Sequence, residues 1–441
     1  MALNQEKVEL AAAADELSAV GTAGSGPSLF EIPVEFLLFG ATLLGIAVFH
    51  RRVFAVAMTG LAAIVLYKLV FTGFAHGVGL DGLAAHFWHE RVILANLLLL
   101  LVGFAVLSRH FEESKAPDAM PRILADNWTG ALALLGIVFV LSAFLDNIAG
   151  ALIGGVAAKH VFQGKVSVGY LAAIVAASNA GGAGSVVGDT TTTMMWIAGV
   201  SPLDVLHAYV AAIASFFVFA IPLSLAQHRY APIQAHREGA FRIDWLRIAV
   251  VGVILVAAIG GNASANIYAP HLLDLYPVIG IAIWAAIFAT AALRRPDFRA
   301  AAASVKGSVF LLALVACASL MPVEKLPPAS WQTAFGLGFI SSVFDNIPLT
   351  ALALKQGGYD WGILAFAVGF GGSMVWFGSS AGVAISNLFP ETRSVFRWLK
   401  EGWWIALGYV VGFFVLLAML GWHPNEPQEP NPATAAVSAE H

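Results

Sequence analysis

LSAFLDNI at residues 141–148 and ISSVFDNI at residues 340–347 are near copies of one another, set in two of the most apolar stretches of the chain. Asp146-Asn147 and Asp345-Asn346 thus recur 199 positions apart (345 − 146). Each copy is followed by a glycine pair and a third glycine: Gly181, Gly182 and Gly188 in the first half, Gly371, Gly372 and Gly378 in the second. A carboxylate inside a bilayer is costly and marks a functional site. One that appears twice, at matching places, is the pattern of a repeat-built carrier with its site at the repeat interface.

The composition supports that setting. Of 441 residues, 59% are hydrophobic and 11% charged, with a mean hydropathy of +0.80. Soluble domains carry about 25% charged residues. Apolar runs of about 20 residues, enough to span a bilayer as helix, recur throughout, and they do not alternate as barrel strands would. The expected fold class is an all-α polytopic membrane protein. A net charge of −4 gives no reason to expect nucleic acid as a partner; the lipid bilayer is the expected surroundings. The single cysteine, Cys317, makes no disulfide framework and reads as packing. Nothing resembles a nucleotide loop, a hydrolytic metal motif or a nucleophile site, so no enzyme and no cofactor is expected.

Candidate spans fall at 31–49, 53–74, 92–108, 128–145, 148–163, 168–187 and 205–226. In the second half they fall at 246–262, 276–293, 307–321, 331–345, 347–356, 361–378 and 402–421. Segments 148–163 and 347–356 are short, and 168–187 and 361–378 end in glycine. These read as re-entrant hairpins and broken helices, since irregular backbone is tolerated at depth only where protein or a cavity covers it. About eleven true spans plus two hairpin-like elements are expected. The boundaries are a tail at 1–28, a first repeat at 29–228 (29–122, then 126–228), a second at 229–421 (229–325, then 329–421) and a disordered tail at 422–441. Arg229, Arg237, Arg242 and Arg247, then Arg294, Arg295 and Arg299, flank two crossings whose connecting loop (263–274) has no Lys or Arg. The positive-inside rule makes both basic loops cytoplasmic.

The chemistry lies in SNAGGAGSVVGDTTTTMMW, residues 178–196, where Asp189 precedes Thr190 to Thr193. Carboxylates, hydroxyls and freed carbonyls are hard oxygen ligands suited to sodium, and unwound backbone at broken helices coordinates Na⁺ or H⁺. No Lys or Arg lies inside the motifs, so a monovalent cation, a proton, or both in competition is the expected cargo. Asp146 and Asp189 are the expected proton- and Na⁺-binding groups, with Asn147 and the threonines as neutral ligands. Asp345 and Asn346 form the matching pair, and Ser379 and Ser380 replace Asp189 and Thr190. Bland roles compete: an Asp-Asn pair can cap a helix, glycine pairs can mark close packing, and threonines can bond their own backbone.

LSAFLDNIAGALI, SNAGGAGSVVGDTTTTMMWIAG and SSVFDNIPLTALAL resemble the signature passages of NhaD-type sodium/proton antiporters, within the ion transporter superfamily that also holds arsenite permeases and citrate or dicarboxylate carriers. The resemblance covers roughly residues 125–425. It implies two inverted repeats, each with a scaffold part and a transport part, and a homodimer moving in an elevator-like way in a bacterial-type inner membrane. Its polar residues carry over as Asp146, Asn147, Asn179, Asp189, Thr191, Thr192, Asn346, Ser379 and Ser380. The expected function is Na⁺ or Li⁺ exchange against H⁺; a Na⁺- or H⁺-coupled citrate or dicarboxylate carrier, or an arsenite permease, is the alternative.

Overall fold

A computed structural model describes residues 28–29, 32–49, 52–75, 77–116, 124–233, 242–269 and 271–425. The two predicted tails lie almost wholly outside these residues. A two-residue ladder, β1 (Ser28–Leu29) with β2 (Ile32–Pro33), precedes the first helix, and the rest is helical. The first half runs through α1 (Val34–Val48), α2 (Val53–Tyr67), a π-turn at Lys68–Thr72, α3 (Gly79–Glu113), α4 (Trp128–Ser142), α5 (Asn147–Val161), α6 (Val168–Ala183), α7 (Thr190–Ile197), α8 (Pro202–Leu206) and α9 (Ala208–Tyr230). The second runs through α10 (Trp245–Tyr268), α11 (His271–Leu275), α12 (Val278–Thr290), α13 (Phe298–Ser319), α14 (Trp331–Ser341), α15 (Asn346–Gln356), α16 (Trp361–Gly371), α17 (Ser380–Leu388) and α18 (Val395–Leu420).

Among the described residues, five helical stretches are long and apolar enough to cross a membrane unaided: Val53–Thr72, Gly79–Glu113, Pro202–Tyr230, Phe298–Ser319 and Val395–Leu420. Others are short for a reason. α4 and α5 have 15 residues each, about 22 Å of helix, less than the ~30 Å hydrocarbon core. They fold back on each other: a methyl on Gly150 would meet Ser142, and one on Gly154 would meet Val138, so the chain runs antiparallel about a tip at 143–146. α14 and α15, 11 residues each, are interrupted at the matching place.

α6 and α16 form the centre. Every residue of both is buried, as expected of helices apolar all round. Their glycines bring backbone against backbone. A Cβ on Gly181 would collide with the Phe139 carbonyl, and one on Gly371 with that of Gly338, again 199 apart (338 − 139). The closures beyond also match. A methyl on Gly182 would lie 2.7 Å from the Gly188 carbonyl, and one on Gly372 would lie 2.6 Å from that of Gly378.

The basic loops share one end. Asp244, capping α10, accepts from Arg294 Nε at 2.8 Å and Nη2 at 3.1 Å. Arg247 pairs with Glu113 at 2.8 Å and Arg109 with Asp297 at 3.4 Å, which brings the end of α3 into the network. The Arg294 guanidinium holds the Asp244 carboxyl below the usual aspartate range.

Candidate ion-binding site

Four short helices begin at the centre, and each begins at a residue singled out by the sequence: α5 at Asp146, α7 at Asp189, α15 at Asp345 and α17 at Ser379. Capping is real, but it is not equal. Asp189 is 1% exposed, and three donors hold its carboxylate. Thr191 N and Asn147 Nδ2 each donate to Oδ1 at 3.3 Å, and Thr191 Oγ1 donates to Oδ2 at 2.8 Å. Asp345 Oδ1 accepts from Ile347 N at 3.1 Å, and its Oδ2 accepts from Ser380 Oγ at 3.1 Å. The Asp146 side chain makes no capping hydrogen bond.

A cavity explains that difference. It has a volume of about 390 Å³ and lies between α3 and α13 on one side and α5 with the start of α17 on the other. Its polar lining runs from Glu112 through Ser108, Ser304 and Ser308 to Asp146 and Ser380. Glu112, bonded to Arg109 at 3.0 Å, lies at the end with the basic loops. Of the three central aspartates, Asp146 is thus the one that lines the cavity, and Ser380 joins the same space to Asp345.

The halves are stitched together by neutral groups. Asn147 Nδ2 donates to Asn179 Oδ1 at 3.2 Å, and Asn179 Nδ2 donates to Ser373 Oγ at 2.9 Å. Asp189 lies close enough to both Asp146 and Asp345 for their charges to interact. Yet the acids do not converge on one point. Among the described residues, no group of three His, Cys, Asp or Glu is placed to hold a metal ion. Amides and hydroxyls separate the carboxylates.

The threonines divide. Thr191 serves Asp189, whereas Thr192 Oγ1 donates to the carbonyls of Ser185 at 2.5 Å and Asp189 at 2.8 Å. Thr193 bonds Val186 and Asp189 carbonyls in the same way. These bonds fasten the broken turn at 184–189 to α7. Thr190 is buried and follows Asp189 as Ser380 follows Ser379. Asn346 is 3% exposed at the start of α15, and Ser379 Oγ accepts from Gly382 N at 3.2 Å. Two contributors escaped the sequence reading. Ser373 receives Asn179, and Gly369 stands where a methyl would lie 3.0 Å from Asp189 Oδ2. Both follow from shifting Ala183 and Asn179 by 190, the spacing of the third glycines (378 − 188).

Broken apolar helices around buried, bridged acids, with a cavity from one face, define a polytopic helical membrane protein of the secondary-transporter class. No family model matches the chain. It is similar to the Na(+)/H(+) antiporter NhaD of Vibrio parahaemolyticus, 26% identical over 79% of this chain and 96% of that protein. It is also similar to NhaD of Vibrio cholerae, 27% identical over 75% of this chain and 80% of that one. Sodium/proton antiporter 1 of Arabidopsis thaliana is 26% identical over 66% of this chain and 56% of its own length. The NhaD-type resemblance therefore extends well beyond the motifs, and the relatives are transporters rather than enzymes.

Proposed function

We propose that this chain is a secondary antiporter exchanging Na⁺ (or Li⁺) for H⁺, with Asp146 as the carboxylate for which the two ions compete. The observation that carries the reading is a cavity whose lining includes both Asp146 and Ser380, with Asp345 bonded to that serine. The names of the relatives supply the ions.

A hydrated cation entering past Glu112 meets hydroxyls at Ser108, Ser304 and Ser308, then the Asp146 carboxylate. There it exchanges water for protein oxygen and displaces a proton, which leaves by the same space. One carboxylate cannot hold both, and that exclusion makes the exchange obligatory. Asp189 and Asn147 form the scaffold of the site, and Asp345 with Ser380 is its counterpart in the second half. Repeats at 29–228 and 229–421 in inverted orientation, an elevator-like motion, a homodimer and a bacterial-type inner membrane belong to the same proposal and rest on the resemblance. With the basic loops cytoplasmic, the cavity opens inward.

The test is dequenching of a pH dye in energised everted vesicles. Sodium or lithium should dequench the dye, and citrate should not. A citrate response without a sodium response would overturn the proposal.

A further inference from the structure

We infer that Lys355 is a positioning residue that holds the second hairpin arm against α13 and so keeps the face opposite the basic loops closed. The inference rests on the proposed exchange only in assuming that the site must open to both faces.

The two hairpin arms occupy opposite states. On α5, Ile148, Ala149 and Leu152 line the open cavity beside Asp146. The matching positions on α15, 199 residues later, are Ile347, Pro348 and Ala351, and all three are buried. Ile347 and Ala351 pack in one apolar cluster with Leu314 and Ala318 of α13. Ile148 and Leu152 remain partly exposed to that space and Ala149 is buried beside it, whereas all three counterparts are buried and two of them pack on α13.

The sealed arm carries a fastening that the open arm lacks. Lys355 Nζ donates to the carbonyls of Ser319 at 2.7 Å and Met321 at 2.5 Å, and Gln356 Nε2 donates to that of Pro327 at 2.7 Å. The last carbonyls of a helix have no partner within it, and a cation there is favoured by the helix dipole. Lys355 thus caps α13 from a different element. His86 of α3 meets Ser319 Oγ at 3.0 Å, so three elements join at this point. Glu324 and Glu90 attract the ammonium, and Lys68 opposes it. The position on α5 that matches Lys355 (355 − 199) is Val156, which has no donor to offer. α13 starts beside Asp297 in the basic network and runs 22 residues, about 33 Å. The fastening therefore lies at the end away from the cavity mouth. Opening that end means lifting α15 off α13, which breaks both bonds from Nζ.

Paired cysteines read this out in a Cys317→Ala background: Leu152→Cys in the open arm and Ala351→Cys at the matching position in the sealed one. A membrane-impermeant thiol reagent should modify Leu152→Cys from the basic-loop side, in everted vesicles, and leave Ala351→Cys almost untouched. Adding Lys355→Met should raise the rate at Ala351→Cys about tenfold or more from the opposite side, in right-side-out vesicles, and slow the rate at Leu152→Cys. Lys355→Arg should restore protection. Lys355→Gln, which keeps the polar stem, should behave like Lys355→Met and replaces it if that variant does not fold. Unchanged labelling at Ala351→Cys in both neutral variants overturns the latch. If sodium-driven proton movement is present in the parent protein, the exchange reading survives that result. If that movement is absent from the parent, the exchange reading fails by itself, whatever the labelling shows.

Discussion

Asp146→Asn and Asp189→Ala should separate two kinds of damage that sequence alone treats as one. Asp146 faces the cavity without a capping bond. Asparagine there keeps the shape and removes the charge, so it should cost less than the roughly 1 kcal/mol of an average substitution. A cation ~4 Å from a carboxylate at an effective dielectric of ~20 gains about 4 kcal/mol, so losing that charge should weaken sodium binding roughly a thousandfold. Asp189 is different, because alanine would abandon Thr191 N, Thr191 Oγ1 and Asn147 Nδ2 in a buried site. A lost N-cap costs about 1 kcal/mol and a stranded buried donor about 1–3 kcal/mol, or about 3 kcal/mol in all. For a chain this long that is an apparent Tm lower by roughly 3–6 °C. Dye dequenching and detergent melting curves on the same preparations measure both effects. Asp146→Asn should melt like the parent and give no sodium response; Asp189→Ala should melt early. The reasoning is refuted if Asp146→Asn keeps a tenth of the parent's sodium response, or if Asp189→Ala melts with the parent.

Gly371→Ala drives a methyl into the Gly338 carbonyl between two backbones that cannot part, whereas Gly336 has open space around it. Overpacking of this kind costs about 1–3 kcal/mol, so Gly371→Ala should lower the melting temperature and Gly336→Ala should not. Gly369→Ala sets a methyl 3.0 Å from Asp189 Oδ2 and should reduce sodium-driven proton movement several-fold, read by the same dye, while the protein stays folded by size-exclusion chromatography. The folded pKa of Asp244 lies below the ordinary 3.8 because Arg294 bonds it. Its contribution to stability is therefore complete above that value and disappears as the pH falls through the lower folded one. Asp244→Asn should melt below the parent at pH 6, and the gap should close as the medium is acidified below about pH 3.8; a gap unchanged in acid would count against the clamp.

Much of this was legible because intramembrane charge is never casual. Asp146 and Asp345 stand out from LSAFLDNI and ISSVFDNI without any knowledge of packing, and the short runs after them are the hairpin arms α5 and α15. What was not legible is which acid meets the cavity. Asp146 and Asp189 each sit beside an amide or hydroxyl in sequence, and only the placement of α3 and α13 leaves one open and the other capped. The threonine run divides for a local reason. At the start of an eight-residue helix, Thr192 and Thr193 find carbonyls seven residues back across the broken turn, a distance no periodicity encodes. Nothing in the sequence around Lys355 marks it, because its partners lie 34 and 36 residues away.

The arrangement also bears on why a cation, and not an anion, suits this centre. Four helix N-termini point into it, and an uncapped N-terminus attracts negative charge. Here the protein supplies that charge itself: Asp146, Asp189 and Asp345 occupy three of the four cap positions, and the Ser379 hydroxyl fills the fourth. The partners of Asp189 and Asp345 are amides, hydroxyls and backbone N–H groups. An incoming carboxylate would find those cap positions already taken by three acidic side chains and a hydroxyl. In the proposed exchange a sodium ion or a proton would meet Asp146, the one of the three central aspartates that lines the cavity. The second half, with serine where the first has Asp189, carries one acid fewer, so otherwise matching halves differ in the acids they offer.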